Sequence, residues 1–180
     1  MNFRYLLYFI FILFATACSK ETTELPPATQ TGANTFGCKV DGVFWVPSGF
    51  GIIPTAPILE ARMLPDNSLI ITARNFSKSP TETEFEIRVK NVTSTGDYLL
   101  NTNTSHPNTG VSYAYYVHRR INPLNEWITS SLYTGKVTIT KVETGANAFV
   151  SGTFEFNAIS IYNGTSVAQI TEGRFDVKLP

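Results

Sequence analysis

Residues 136–142 read KVTITKV and residues 152–158 read GTFEFNA, with ETGAN at 143–147 between them. In both runs apolar and polar side chains alternate with a period of two, the spacing of a strand that buries one face. A polar, glycine-containing turn between two such runs predicts an antiparallel hairpin. The same period recurs in both directions along the chain. Toward the carboxyl end, Asn163-Gly164 is a second hairpin signal, and in 173–179 (GRFDVKL) Phe175, Val177 and Leu179 share one face. Toward the amino end, GCKV at 37–40 and VFWV at 43–46 flank Asp41-Gly42, the strongest two-residue hairpin signal.

Between these ends, Leu59, Ala61 and Met63 alternate with Glu60 and Arg62, and Pro65-Asp66-Asn67 turns the chain back into SLIITAR at 68–74. These two runs are expected to pair antiparallel. Phe85, Ile87 and Val89 alternate with Glu84, Glu86, Arg88 and Lys90, a half-buried strand whose wet face carries both charge signs. Gly96-Asp97 turns into YLL at 98–100, and VSYAYYVH at 111–118 is long enough for a strand. About ten strands joined by short turns, without βαβ units, predict an all-β antiparallel sandwich over residues 36–180, with a calycin-like β-barrel as the alternative. The one place for a helix is 122–133, where Asn122-Pro123 would cap it and Leu124, Ile128 and Leu132 fall four apart; a loop with one helical turn fits the same residues.

The chain has 180 residues, 43% of them hydrophobic and 16% charged, with 14 Lys and Arg against 14 Asp and Glu. That balance excludes a disordered polyelectrolyte, and no nucleic acid is expected as a partner because such domains are strongly basic. The length suits one domain with its own core.

Arg4 precedes thirteen residues, 5–17, of which Thr16 alone is polar. This is the length of a signal-peptide apolar region and too short to span a bilayer. It ends in Phe14-Ala15-Thr16-Ala17-Cys18, which resembles the lipobox of bacterial lipoproteins, with Ala15 where leucine is commonest. The resemblance implies cleavage after residue 17 and a lipid on Cys18. An ordinary secretory signal ending in the A-x-A site at 15–17 is the competing reading. Residues 19–35 (SKETTELPPATQTGANT) hold no aromatic and one large aliphatic, Leu25. They are therefore expected to be a flexible tether, with residues 18–35 forming the anchor segment and the membrane as a partner through the amino-terminal lipid. Ser19 follows the cysteine, where an aspartate would imply retention in the inner membrane, so the outer membrane is the expected location. If Cys18 carries lipid, Cys38 has no partner within the chain, and burial is its expected fate.

The lipobox, the tether, Gly37-Cys38-Lys39-Val40-Asp41-Gly42 with Trp45 behind it, and the closing Gly152-Thr153-Phe154-x-Phe156 and Gly173-Arg174-Phe175-Asp176-Val177 together resemble a lipoprotein family of Bacteroidota, a domain of unknown function. The resemblance implies origin and fold and supplies no catalytic residue.

Direct signs of chemistry are sparse. The chain holds two histidines, His106 in NTNTSHPNTG and His118 at the end of the tyrosine-rich run, with no spacing suited to a metal. No metal or cofactor is expected. A hydrolase would need Ser105 or an acid beside His106 or His118, and neither a G-x-S-x-G elbow nor a phosphate-binding loop is present. Glu82, Glu84 and Glu86 share one strand face, which reads as a solvated surface. Tyr113 and Tyr115 lie on one face of their strand, and Tyr116 and His118 on the other, so one ordinary core cannot take all of them. Tyr116, His118, Arg120 and Trp127 are the candidate ligand-binding set, suited to a glycan or an envelope protein. The simpler reading is that the tyrosines pack a sandwich rim with their hydroxyls in water. The resulting expectation is a non-catalytic binding or structural module of the cell envelope; the alternatives are a small-ligand carrier with a calycin-like cavity and the histidine-dependent hydrolase.

Overall fold

In a computed structural model the described residues are 23–49, 56–77, 82–119 and 125–180, and they form eleven strands and no helix. β1 (Thr35–Val40) and β2 (Val43–Trp45) are joined by Asp41-Gly42, whose φ angles of 50° and 82° are those of a tight hairpin. That turn is also held from the side, since the Asp41 amide donates to Gln169 O and its carboxylate accepts from the Gln169 amide, both at 2.8 Å. β3 (Leu59–Met63) and β4 (Leu69–Asn75) pair antiparallel as expected. Their turn is fixed by Asp66, which accepts from the Ser68 amide at 3.0 Å.

β5 (Glu82–Val89), β6 (Gly96–Leu100), β7 (Tyr113–Arg119), β8 (Glu126–Ile128), β9 (Gly135–Glu143), β10 (Phe149–Ser160) and β11 (Val167–Lys178) complete one continuous sheet. Its order is β2-β1-β11-β10-β8-β7-β5-β4-β3, with β9 and then β6 branching from β10. The branch exists because β10 is long. One edge pairs with β11, while the other pairs with β9 from Phe149 to Phe156 and with β8 at Ile159 and Ser160. All ladders are antiparallel, and an isolated parallel bridge from Ser48 to Asn75 brings the chain after β2 onto β4. The fold is thus all-β and antiparallel as expected, and its core is enclosed by one curled sheet, a half-barrel, in keeping with the expected sandwich or barrel.

The helix expected at 122–133 is not formed by its described part. Trp127 and Ile128 pair with Tyr116 and Tyr115 on one side and with Ser160 and Ile159 on the other. Leu132, the last member of the four-residue pattern, is 86% exposed, so the pattern marks no common buried face. Two-sided strand pairing outweighs a local helical spacing.

Packing explains the closing motifs. Phe175 lies opposite Gly152, and Phe154 opposite Gly173. A Cβ at Gly152 would stand 2.6 Å from the Phe175 ring and 2.3 Å from Thr138 O, and one at Gly173 would stand 2.5 Å from the Phe154 ring. The rings therefore lie where only hydrogen fits, and from there they join a continuous aromatic core. Phe36 and Phe154 have centroids 5.0 Å apart, and Phe85 stacks on Tyr116 at 4.5 Å. Just beyond Thr171, Glu172 takes a φ of 53° where the register of β11 slips against both β1 and β10. This bulge bends the strand and helps the sheet curl. Gly152→Ala is expected to lower stability by about 2 kcal/mol or more, because the blocking atoms include backbone that cannot rotate away. A urea midpoint equal to wild type would show that the ring does not need the space.

Candidate functional site

Asp176 alternates with two inward neighbours, Phe175 and Val177, so its side chain projects from the outer face of β11, opposite Ser151 of β10. There it is nevertheless 1% exposed, because residues 29–33 cross over it. Thr29 Oγ1 donates to the carboxylate at 2.6 Å, and the amides of Thr31, Gly32 and Ala33 donate at 3.0, 2.9 and 3.0 Å. Ser151 Oγ adds a bond of 2.7 Å from beneath. Gly32 allows the turn, with a φ of 71°. Successive amides converging on one anion form a nest, and each bond is strengthened by the charge it meets.

The tether expected over 18–35 is thus strapped to the body in its last third. Composition missed this because the strap is held by hydrogen bonds to an anion and buries little apolar surface. Further along the strap, Pro26 packs over Gly37, and Arg174 Nη1 donates to Pro26 O at 3.5 Å. Burial opposes ionisation of Asp176, but the bonds from Thr29, Ala33, Ser151 and Thr31 outweigh it and hold its carboxyl well below the usual range.

Of the candidate ligand-binding set, the structure brings three residues together on the inner face at the far end of the sheet from the strap. Tyr116 is 3% exposed and belongs to the core, with its hydroxyl 2.6 Å from His118 Nε2. Burial, and then the neighbouring Cys38 and Asp41, push its phenol up. Trp127 is half-buried, stacks on Tyr116 with centroids 5.7 Å apart, and donates from Nε1 to Ser166 Oγ at 3.2 Å. His118 closes the group edge-on to Trp127 at 5.5 Å. Tyr116 is therefore a packing residue and offers no ring face to a ligand. Arg120 and Cys18 lie outside the described residues.

The other face of β7 is buried too. Tyr113, Tyr115, Val117 and Ile128 form a second, smaller cluster, so the outer surface here is not the wet face that the charges of β5 suggested. His106, from the loop between β6 and β7, lies flat on Tyr115 at 3.8 Å. Its Nε2 is 3.4 Å from Glu86, which also accepts from the Tyr113 hydroxyl. Tyr115 donates to Glu126 at 2.6 Å, and Tyr162 to the same carboxylate at 3.0 Å. Burial raises the cost of charging Glu86, yet the bonds from His106 and Tyr113 hold it below its ordinary value. An acid does lie beside a histidine here, but no serine, threonine or cysteine is hydrogen-bonded to His106 among the described residues. The pair pins a loop over two tyrosines.

Elsewhere, Cys38 is fully buried and burial pushes its thiol up, which leaves it unreactive. Arg88 is 5% exposed, and its Nε has no partner among the described residues. A calycin-like carrier would need an apolar cavity among the inward residues, and the rings of Phe36, Trp45, Phe85, Phe154 and Phe156 occupy that space. Among the described residues, no three His, Cys, Asp or Glu side chains stand close enough to hold a metal.

A curled antiparallel sheet with an amino-terminal strap clasped by a carboxylate is the class of domain that this geometry defines. The chain belongs to the family described as domain of unknown function DUF6252, whose model matches residues 34–179. No curated protein and no solved structure matches it.

Asp176→Asn replaces an acceptor oxygen with a donor facing other donors, and is expected to destabilise the domain by at least about 2 kcal/mol in urea unfolding. The folded carboxyl is depressed, so the stability it contributes is complete above its unfolded value of about 3.9 and is lost as pH falls toward the folded value. Wild type is expected to lose stability progressively below about pH 4, and Asp176→Asn to lose less over that range. Identical acid profiles for the two proteins would contradict the assignment.

Proposed function

We propose that the chain is an outer-membrane lipoprotein anchored through Cys18, whose β domain is a non-catalytic binding or structural module of the cell envelope. The observation that carries this reading is the strap. The residues that follow the lipobox cysteine are joined to the end of β11 by Asp176, so an anchor at Cys18 would hold the sheet at one defined end. The strap meets the body from Glu24 onward, so five residues, 19–23, link it to Cys18, a span of about 17 Å when fully extended and roughly 11–13 Å as a coil. The strapped end then lies toward the bilayer. The β1–β2 and β10–β11 turns, with exposed Val43, Ile161, Tyr162 and Val167, lie at the opposite end and face away from it. A glycan or an envelope protein meeting the domain there would find aliphatic side chains, the Tyr162 ring and the edge of Trp127.

Two or three acyl chains, each contributing about 0.8 kcal/mol per buried methylene, would make the attachment effectively permanent. Globomycin treatment, fractionation and the mass of the amino terminus test the reading together. The expected result is a diacylglyceryl-modified chain beginning at Cys18 in the outer-membrane fraction, accumulation of the precursor under globomycin, and release of Cys18→Ser into the soluble fraction. A soluble, unmodified wild-type chain would overturn it.

A further inference from the structure

Between the strap and the edge of β3 the structure leaves a groove of about 880 Å³. Among the described residues, β2 pairs with β1 only from Cys38 onward, so the first residues of β1 keep a free edge, and β3 pairs with β4 alone. The strap crosses this gap at Leu25 and Pro26, and Val46, Ile58, Leu59 and Phe36 line the rest of its apolar wall. An added strand is a poor occupant. Pro26, Pro47 and Pro57 stand along the groove without an N–H to offer, and such prolines block edge pairing. A flexible aliphatic chain needs no hydrogen-bond partner and suits such walls.

We propose that this groove seats one acyl chain attached to Cys18 whenever the protein is outside a bilayer. The proposal rests on the lipid-anchor reading above. Cys18 lies six residues before Glu24, where the groove begins, a reach of at most about 20 Å. The strap clasped at Asp176 delivers the chain to the groove mouth from a fixed direction. Seating removes methylenes from water, and a bilayer buries them more completely, so the groove empties on insertion. Glu24 is the one charged residue of the lining. It disfavours the carboxylate of a free fatty acid and tolerates an ester, amide or thioether-linked chain.

The test uses the exported chain with an unlipidated Cys18, before and after alkylation with hexadecyl maleimide; buried Cys38 does not react. The probe is the uncharged fluorophore N-phenyl-1-naphthylamine. The unalkylated chain is expected to bind one probe, displaced by methyl palmitate at lower concentration than by palmitate. Alkylation at Cys18 is expected to reduce probe uptake at least tenfold while the chain remains monomeric. Ile58→Glu, at a position already 37% exposed, is expected to weaken probe binding at least tenfold with an unchanged urea midpoint. No binding, binding unaffected by alkylation, or binding unaffected by Ile58→Glu would each overturn the proposal. The amino-terminal mass reports on the anchor separately. An unmodified terminus in cells removes the anchor reading, whereas a lipidated terminus with an unchanged probe response removes the groove alone.

Discussion

One carboxylate organises the amino-terminal end of this domain. Asp176 is buried on the outer face of a strand whose other side faces the aromatic core, and an anion there is tolerable only because donors surround it. Ser151 supplies one from the neighbouring strand, and the strap supplies the others. Removing the strap would uncover the carboxylate and take away four of the donors that hold it, so the strap is part of the fold. The place where the anchor segment meets the sheet, the groove beside it and the orientation of the far end all follow from that constraint.

The second constraint is the crossing of rings over glycines. Gly152 and Gly173 let Phe175 and Phe154 lie flat against the sheet, and the contacts of Phe154 with both Phe175 and Phe36 tie the last two strands to the first. The same short motif thus supplies both devices. In GRFDV the glycine and phenylalanine pack the inner face, and the aspartate clasps the strap on the outer one.

Much of the fold was legible because period-two alternation and turn chemistry are local. Asp41-Gly42, Pro65-Asp66-Asn67 and the runs around 143–147 form the hairpins that their residues imply. The strand at Glu126–Ile128 was not legible. Three residues paired on both sides take their conformation from β7 and β10, and their own spacing pointed to a helix. The clasp was hidden for a different reason. Asp176 and Thr29 are 147 positions apart, and a polar, proline-containing stretch carries no hydrophobic signal of docking. One sign was available: of the four aspartates, Asp176 alone sits within a strand and away from any turn. The tyrosines of β7 were correctly read as too many for one core, but the second face is covered by the His106 loop, a tertiary contact that alternation cannot reveal.

The account stands on the strap being held at Asp176 in the working protein. Amide hydrogen exchange of Thr31, Gly32 and Ala33, measured at neutral pH in wild type and in a Thr29→Ala, Ser151→Ala variant, examines that contact at the donating atoms themselves. The account predicts strong, correlated protection of the three amides in wild type, reduced together in the variant. Exchange at the rate of an unstructured peptide in wild type would mean that the strap is loose and that the anchor segment is a free tether after all.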